Sequence, residues 1–394
     1  MNSLNAFLEK NLEERRHLQR YRQRLTLETA QDTYVEVNGE RFLNFCSNDY
    51  LGLASHPALR EAMVDAAREY GVGSGASHLV CGHSEEHHRL EQELAEFTGR
   101  DRALLFSTGY MANMGVIAAL SDRAGEIFED KLNHASLIDG AMLSRAKLSR
   151  YRHLDTQHLG SLFSRSEARH KLLVTDSVFS MDGDLAPLDA LADCAKEHDA
   201  WLMVDDAHGI GVMGKQGAGA ASHFMLDQGR LPVLIGTFGK AFGTFGAFVA
   251  GSQALIEYLI QFARTYIYTT AIPPPIASAS RVALSLVQQD EWRREKLAEN
   301  IAYFRQASAA AGLRLMVSDS PIQPVLIGRD TDALMASEAL RKSGVLVSAI
   351  RPPTVPEGTA RLRVTLTAKH SVAQLNQLID ALRQAVEKLA LHES

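Results

Sequence analysis

The chain has 394 residues, 46% of them apolar and 22% charged, with a formal net charge of -6. That length predicts two domains, or one large α/β domain with a satellite, and the composition is that of an ordinary globular protein. The charge balance leaves no basic footprint for nucleic acid or an anionic membrane. The three cysteines, Cys46, Cys81 and Cys194, are far apart and odd in number, so neither a disulfide framework nor a zinc ribbon is expected and a reducing compartment fits.

In chain order, the first 24 residues contain no apolar run and carry three glutamates. They read as an amphipathic helix rather than a signal peptide, and the expected location is the cytoplasm. HPALREAMVDAAREYG, following Ser55, predicts a capped helix. SEEHHRLEQE places His87 and His88 among carboxylates; a solvated helix face explains them better than a metal site does. From residue 100 short apolar runs alternate with helical patterns: RALLF, then YMANMGVIAAL; GEIFED, then HASLIDGAMLS; then KLLVTDSVF, WLMVDD, LPVLIGTF and GAFVAG. This alternation predicts a mostly parallel sheet covered by helices on both faces. PPP at 273–275 marks a turn, and beyond about residue 285 a long polar-faced helix introduces IQPVLIG, VLVSAI, RLRVTLT and a closing helix, an α+β unit with its own small sheet. The expected division is an N-terminal helix and strand segment (1–45), a large α/β domain (46–285) and a C-terminal α+β domain (286–394).

In open parallel sheets ligands bind beyond the carboxyl ends of the strands. Ser107, Thr108 and Gly109 follow RALLF; Ser180 and Asp182 follow LLVTDSVF; Asp205, Asp206 and His208 follow WLMV; Thr237 and Lys240 follow VLIG. Lys240 is the sole charged residue of 231–251. A membrane span is disfavoured by this central lysine and the repeated glycines. Two readings stay open: a strand, turn and strand whose lysine reaches solvent, or a desolvated amine kept nucleophilic for a carbonyl ligand. STGYMAN opens a helix with small residues, which suits either an ordinary cap or a phosphate on free N–H groups. In VDDAHG, Asp205 and His208 form either a structural hydrogen bond or a grip on two edges of one heteroaromatic ring. HGIGVMG satisfies GxGxxG formally, but no amphipathic helix follows it, so it reads as a flexible loop. A lysine for an imine, a helix N-terminus for a phosphate and an acid for a pyridinium nitrogen together describe a pyridoxal phosphate site.

LNFCSNDYLGL, GSGASHLVCGH, LLFSTGYMAN, NHASLIDG, VFSMDGDLAPL, VDDAHGIGVMG, TFGKAFG and IRPPTVPEGTARLRVTLT occur in this order. The chain thereby resembles the α-oxoamine synthases, pyridoxal phosphate enzymes of the aspartate-aminotransferase fold (fold type I), over essentially its whole length. The N-terminal half and the IRPP segment are most similar to the members that serve biotin biosynthesis. The resemblance implies a decarboxylative condensation of L-alanine with a pimeloyl thioester, carried by coenzyme A or an acyl carrier protein, in a homodimer. A related synthase joining glycine to acetyl- or succinyl-CoA is the alternative. Residue by residue, it implies that Lys240 is the Schiff-base lysine and Asp205 the partner of the ring nitrogen. His208 and Ser180 would contact the cofactor, Thr237 its phosphate, and Gly109 and Tyr110 would lie beside it. His134 would stack on its ring. Arg22 and Thr354 would contact substrate, Arg363 would hold the amino-acid carboxylate, and Asn48 would line the same pocket. Thr269 or Thr270 would reach a phosphate across the subunit interface, and His78 stands where several relatives carry Arg or Gly.

Overall fold

The structure, a computed structural model, describes residues 3–18 and 20–393. Thirteen strands run through these residues: β1 (Tyr34–Val37), β2 (Glu40–Asn44), β3 (Arg102–Phe106), β4 (Gly125–Asp130), β5 (Lys147–Tyr151), β6 (His170–Asp176), β7 (Trp201–Asp205), β8 (Val233–Thr237), β9 (Ala247–Gly251), β10 (Ile322–Gly328), β11 (Val345–Leu346), β12 (Ser348–Ile350) and β13 (Ala360–Thr365). Seven form the main sheet in the order β3-β9-β8-β7-β6-β4-β5. All are parallel except β9, which pairs antiparallel with β3 and β8.

The apolar runs become strands because both of their faces are covered. Along β6, Leu172 and Val174 enter one apolar cluster while Leu173 enters another; along β8, Val233 and Ile235 oppose Leu234 in the same way. Alternate side chains of a strand point to opposite faces, so a sheet with helices on both sides needs apolar residues at every position. The C-terminal region carries its own sheet, β10-β13-β12. A third sheet, β1-β2-β11, joins the N-terminal strands to residues 345–346, with β11 parallel to β2.

Helix α1 (Ser3–His17) buries none of its side chains. Helix α2 (Pro57–Tyr70) is capped by His56, whose Nδ1 accepts the Ala58 N–H at 3.3 Å, and not by Ser55. Helix α3 (Glu85–Thr98) is not the solvated face expected of SEEHHRLEQE, for Glu86 is buried and His87 fully so. The His87 ring is satisfied at both nitrogens, by Ser84 at the helix start and by the Ile272 carbonyl at 2.6 Å, which removes the cost of burying it. The three prolines also differ from expectation. Pro273 precedes the helix Pro274–Gln289, whose first turn the other two occupy, where a missing N–H costs nothing.

The apolar segment around Lys240 folds as β8, a tight loop and β9. Gly243 in that loop has φ +67°, and a Cβ placed there would lie 2.3 Å from the Ala54 nitrogen and 2.5 Å from the Leu53 carbonyl carbon. Both the left-handed backbone and the close approach demand glycine. Gly243→Ala is expected to destabilise the protein by about 1–3 kcal/mol, read as a lowered denaturant midpoint at unchanged slope.

Candidate active site

The carboxyl ends of β3, β6, β7 and β8 deliver their following residues to one rim. After β3, Thr108 caps helix α4 (Gly109–Leu120), its hydroxyl accepting the Met111 N–H at 3.1 Å. A Cβ on Gly109 would meet nothing within 4 Å, so the helix N-terminus is open to an anion. β6 and β7 are in register, so that Asp176 lies beside Asp205. Asp205 is buried; Asn113 Nδ2 donates to its Oδ2 at 2.6 Å and the Ala207 N–H to its Oδ1 at 2.9 Å.

Asp206 has a different task. Ser177 Oγ donates to it at 2.6 Å and the Ala220 N–H at 2.8 Å. Burial pushes its carboxyl up to about 7. A Cβ on Gly209 or Gly219 would come within 2.1 or 2.0 Å of its carboxylate oxygens. The glycines of the formal GxGxxG region thus include one that packs on a buried acid.

Half-buried Lys240 places Nζ 2.8 Å from Nε2 of His208. Nδ1 of His208 lies 2.6 Å from the Tyr50 hydroxyl, and that hydroxyl lies 3.3 Å from Asn48 Oδ1. Arg363 donates to the same Asn48 oxygen through both terminal nitrogens at 3.2 Å, and through Nε to the Ser180 carbonyl at 2.6 Å. Burial lowers Lys240 to about 8, against the pull of Asp205 and Asp176 in the other direction. Burial, with Lys240 and Arg363 adding to it, holds His208 well below the usual imidazole value, and burial raises Tyr50 to about 12. A neutral His208 that accepts from Lys240 at Nε2 carries its proton on Nδ1 and donates it to Tyr50. Tyr50 in turn donates to Asn48, so one chain of hydrogen bonds joins Lys240 to Arg363.

His134 caps helix α5 (Ala135–Ser144), with Nδ1 2.7 Å from Ser136 Oγ and its main-chain N–H donating to Asp176 Oδ2 at 2.7 Å. Tyr110 stands edge-on to the His134 ring, at 6.2 Å between centroids, and its hydroxyl is bonded to Asp139. Burial lowers His134, and burial together with the neighbouring Asp205 raises Asp176 well above the usual carboxyl range.

Gly109, Tyr110, His134, Asp205, His208, Thr237 and Lys240 line one cavity of about 190 Å³. Ser180, Asn48 and Arg363 stand behind it, tied in by the bonds above. Arg22 and Thr354 are exposed and do not line this cavity, nor do Thr269 and Thr270. His78 is buried elsewhere, stacked on Tyr266 with Nδ1 2.9 Å from His83 Nδ1. Asn113, Ser136, Asp176 and Ala207 complete the lining and carried no role in the sequence reading. Asp176 ends β6 as Asp205 ends β7, but the apolar pattern runs on past it to Phe179.

Residues 40–382 match the family described as aminotransferase class I and II. The chain is 59% identical over 370 residues to 8-amino-7-oxononanoate synthase of Methylococcus capsulatus, covering 94% of this chain and 96% of that one. The chain belongs to the 8-amino-7-oxononanoate synthase family. A crystal structure of 8-amino-7-oxononanoate synthase from Francisella tularensis has the same fold, with a TM-score of 0.78 and 35% identity over 89% of this chain and 99% of that one. SPT (serine palmitoyltransferase) with PLP internal aldimine superposes with a TM-score of 0.93 and 30% identity, covering 99% of this chain and 100% of that one. The family's fold is thus the mixed, mostly parallel sheet described above, with Lys240 on its β8–β9 loop. In the cofactor-free protein, reductive methylation of Lys240 is expected to rise with pH and reach half its plateau near pH 8, because only the neutral amine reacts; an exposed lysine does so at about 10.4.

Proposed function

We propose that this protein is a pyridoxal phosphate-dependent acyltransferase that condenses L-alanine with a pimeloyl thioester, releasing 8-amino-7-oxononanoate, carbon dioxide and the free thiol carrier. The observation that carries the chemistry is Lys240, an amine brought down to about 8 and hydrogen-bonded to a neutral imidazole in a cavity that also holds Asp205. The choice of substrates rests on the 59% identity to the Methylococcus capsulatus enzyme, against 30% to the serine palmitoyltransferase.

The donor set fits the cofactor. The open N-terminus of α4 at Gly109 and Tyr110, with Thr237, would hold the phosphate. Asp205, already oriented by Asn113 and Ala207, would pair with the protonated ring nitrogen; His208 and Ser180 would contact the cofactor, and His134 would cover its ring. Bound there, pyridoxal phosphate supplies an electron sink for the pair left on Cα of the amino acid.

The chain's own residues do the rest. Arg363, fixed by Asn48, Ser180 and Thr365, holds the amino-acid carboxylate. Lys240, neutral above about pH 8, takes the Cα proton and later returns one. His134 accepts from Ser136 at Nδ1 and therefore carries its proton on Nε2, available to the oxygen on which charge develops when the thioester is attacked. Arg22 and Thr354 contact the acyl donor. They reach it in a homodimer, which the exposed apolar side chains of α1, Phe7, Leu8 and Leu12, support. The carrier of the pimeloyl group would be coenzyme A or an acyl carrier protein, and the reaction would take place in the cytoplasm.

The test is thiol release by the purified holoenzyme. Release that requires both L-alanine and pimeloyl-CoA is expected; release with glycine and acetyl- or succinyl-CoA instead would overturn the substrate assignment. Lys240→Ala is expected to lower turnover by about 10²–10⁴-fold and to abolish borohydride-dependent covalent retention of the cofactor. Undiminished turnover in that variant would remove Lys240 from the reaction.

A further inference from the structure

Residues 177–187 leave β6 and lead to the helix Leu188–Glu197. They fold back on themselves: Val178 bridges Leu185, and the Phe179 N–H donates to the Asp184 carbonyl at 3.0 Å. The C-terminal sheet grips one side of this loop. Arg361 Nη1 meets Asp182 Oδ1 at 2.6 Å, Arg363 Nε donates to the Ser180 carbonyl at 2.6 Å, and Ser318 Oγ donates to the Gly183 carbonyl at 2.8 Å.

Another grip comes from His153, which follows β5. Its Nδ1 lies 2.9 Å from Asp130 Oδ1 and its Nε2 2.9 Å from Asp184 Oδ2, while its ring stands edge-on to Phe179 at 4.5 Å. An imidazole between two carboxylates satisfies both only as the imidazolium, donating from each nitrogen. Burial alone would lower its pKa; the hydrogen bonds to Asp130 and Asp184 outweigh that and bring it to about 10. Asp130 is a fixed anchor, fully buried at the end of β4 and accepting the main-chain N–H groups of Leu132 and Leu154. Asp184 is the dependent end. Its Oδ1 is buried without a partner, so among the described residues its carboxylate is held by His153.

We infer that His153 is a positioning residue for amino-acid binding: it pins Asp184, and through the loop the Ser180 carbonyl that sets the guanidinium of Arg363. His153 does not line the cavity, and both of its ring nitrogens are spent on Asp130 and Asp184, so it acts through Asp184. The inference rests on the reading of Arg363 as the carboxylate-binding group.

The experiment uses the holoenzyme with His153→Gln, Asp184→Asn and, as a reference, Arg363→Lys. L-Alanine affinity is read by the change in cofactor absorbance, and steady-state constants for both substrates are measured beside it. Hydrogen exchange of 178–185 in the cofactor-free protein gives a readout independent of the loaded site. His153→Gln is expected to weaken alanine binding by about three- to tenfold, leave KM for pimeloyl-CoA within about twofold and speed exchange in the loop. Asp184→Asn keeps an acceptor for His153 but loses the charge, and is expected to move the same quantities less; it carries the test if the first variant does not fold. A merely structural loss would reduce the active fraction and leave alanine affinity of the remainder unchanged, which overturns the inference. If Arg363→Lys weakens alanine binding and neither other variant does, the inference falls and the reading of Arg363 stands. If Arg363→Lys leaves alanine affinity unchanged, that reading fails and the inference with it.

Discussion

The contact on which the site depends is that between Lys240 Nζ and His208 Nε2, 2.8 Å apart in a partly buried setting. Two basic groups this close cannot both be charged without strong repulsion. Burial settles the matter by keeping the imidazole neutral and bringing the lysine near neutrality. The remaining hydrogen-bond directions then follow. A neutral His208 that accepts from Lys240 donates to Tyr50, Tyr50 donates to Asn48, and the second lone pair of that Asn48 oxygen is free for Arg363. Three distant parts of the chain, residues 48–50, 208–240 and 363, are thereby set by one protonation state.

The sheet explains why those parts meet. Six parallel strands present their carboxyl ends on one side, and the antiparallel β9 brings the chain back beneath the rim after Lys240. The residue after each strand is therefore both close to its neighbours and free of ladder bonds. Within DD of VDDAHG, successive residues take opposite sides: Asp205 faces the cavity and Asp206 the packed glycine loop. Asp206, raised to about 7 by burial, is a structural acid whose neighbours must be glycine; Asp205 keeps two donors and a face open to a ligand.

Lys240, Asp205, His208, Thr237 and Gly109 were legible because each follows a short apolar run, and the end of a parallel strand is the one place a linear pattern announces a site. The parallel sheet was legible for the same reason. Asp176 escaped because LLVTDSVF continues its apolar pattern past the strand's end, drawing attention to Ser180, four residues on. His87 was misjudged because a helix rich in His and Glu looks solvated when its partner, the Ile272 carbonyl, lies 185 residues away in sequence. His56 took the cap from Ser55 through ring geometry that no residue-type preference expresses. β11 pairs with β2 across some 300 residues of chain, and two strand residues are too few to carry a periodic signal.

Arg361 and Arg363 show how the C-terminal unit enters the chemistry. They are alternate residues of β13, so their side chains share one face of the small sheet. Both are buried, and each gives one of its nitrogens to the loop that follows β6: Arg361 Nη1 to Asp182 and Arg363 Nε to the Ser180 carbonyl. A buried guanidinium without acceptors is strongly unfavourable, so neither arginine tolerates a gap between the small sheet and the loop. Arg361 has its own carboxylate, Asp182, and is fully neutralised. Arg363 is bonded to carbonyl, amide and hydroxyl oxygens, which satisfy its hydrogens but not its charge. Of the two, Arg363 is the one with positive charge left over for a ligand. The difference between a structural arginine and a substrate-binding one thus lies in the acceptor set, two positions apart on the same strand.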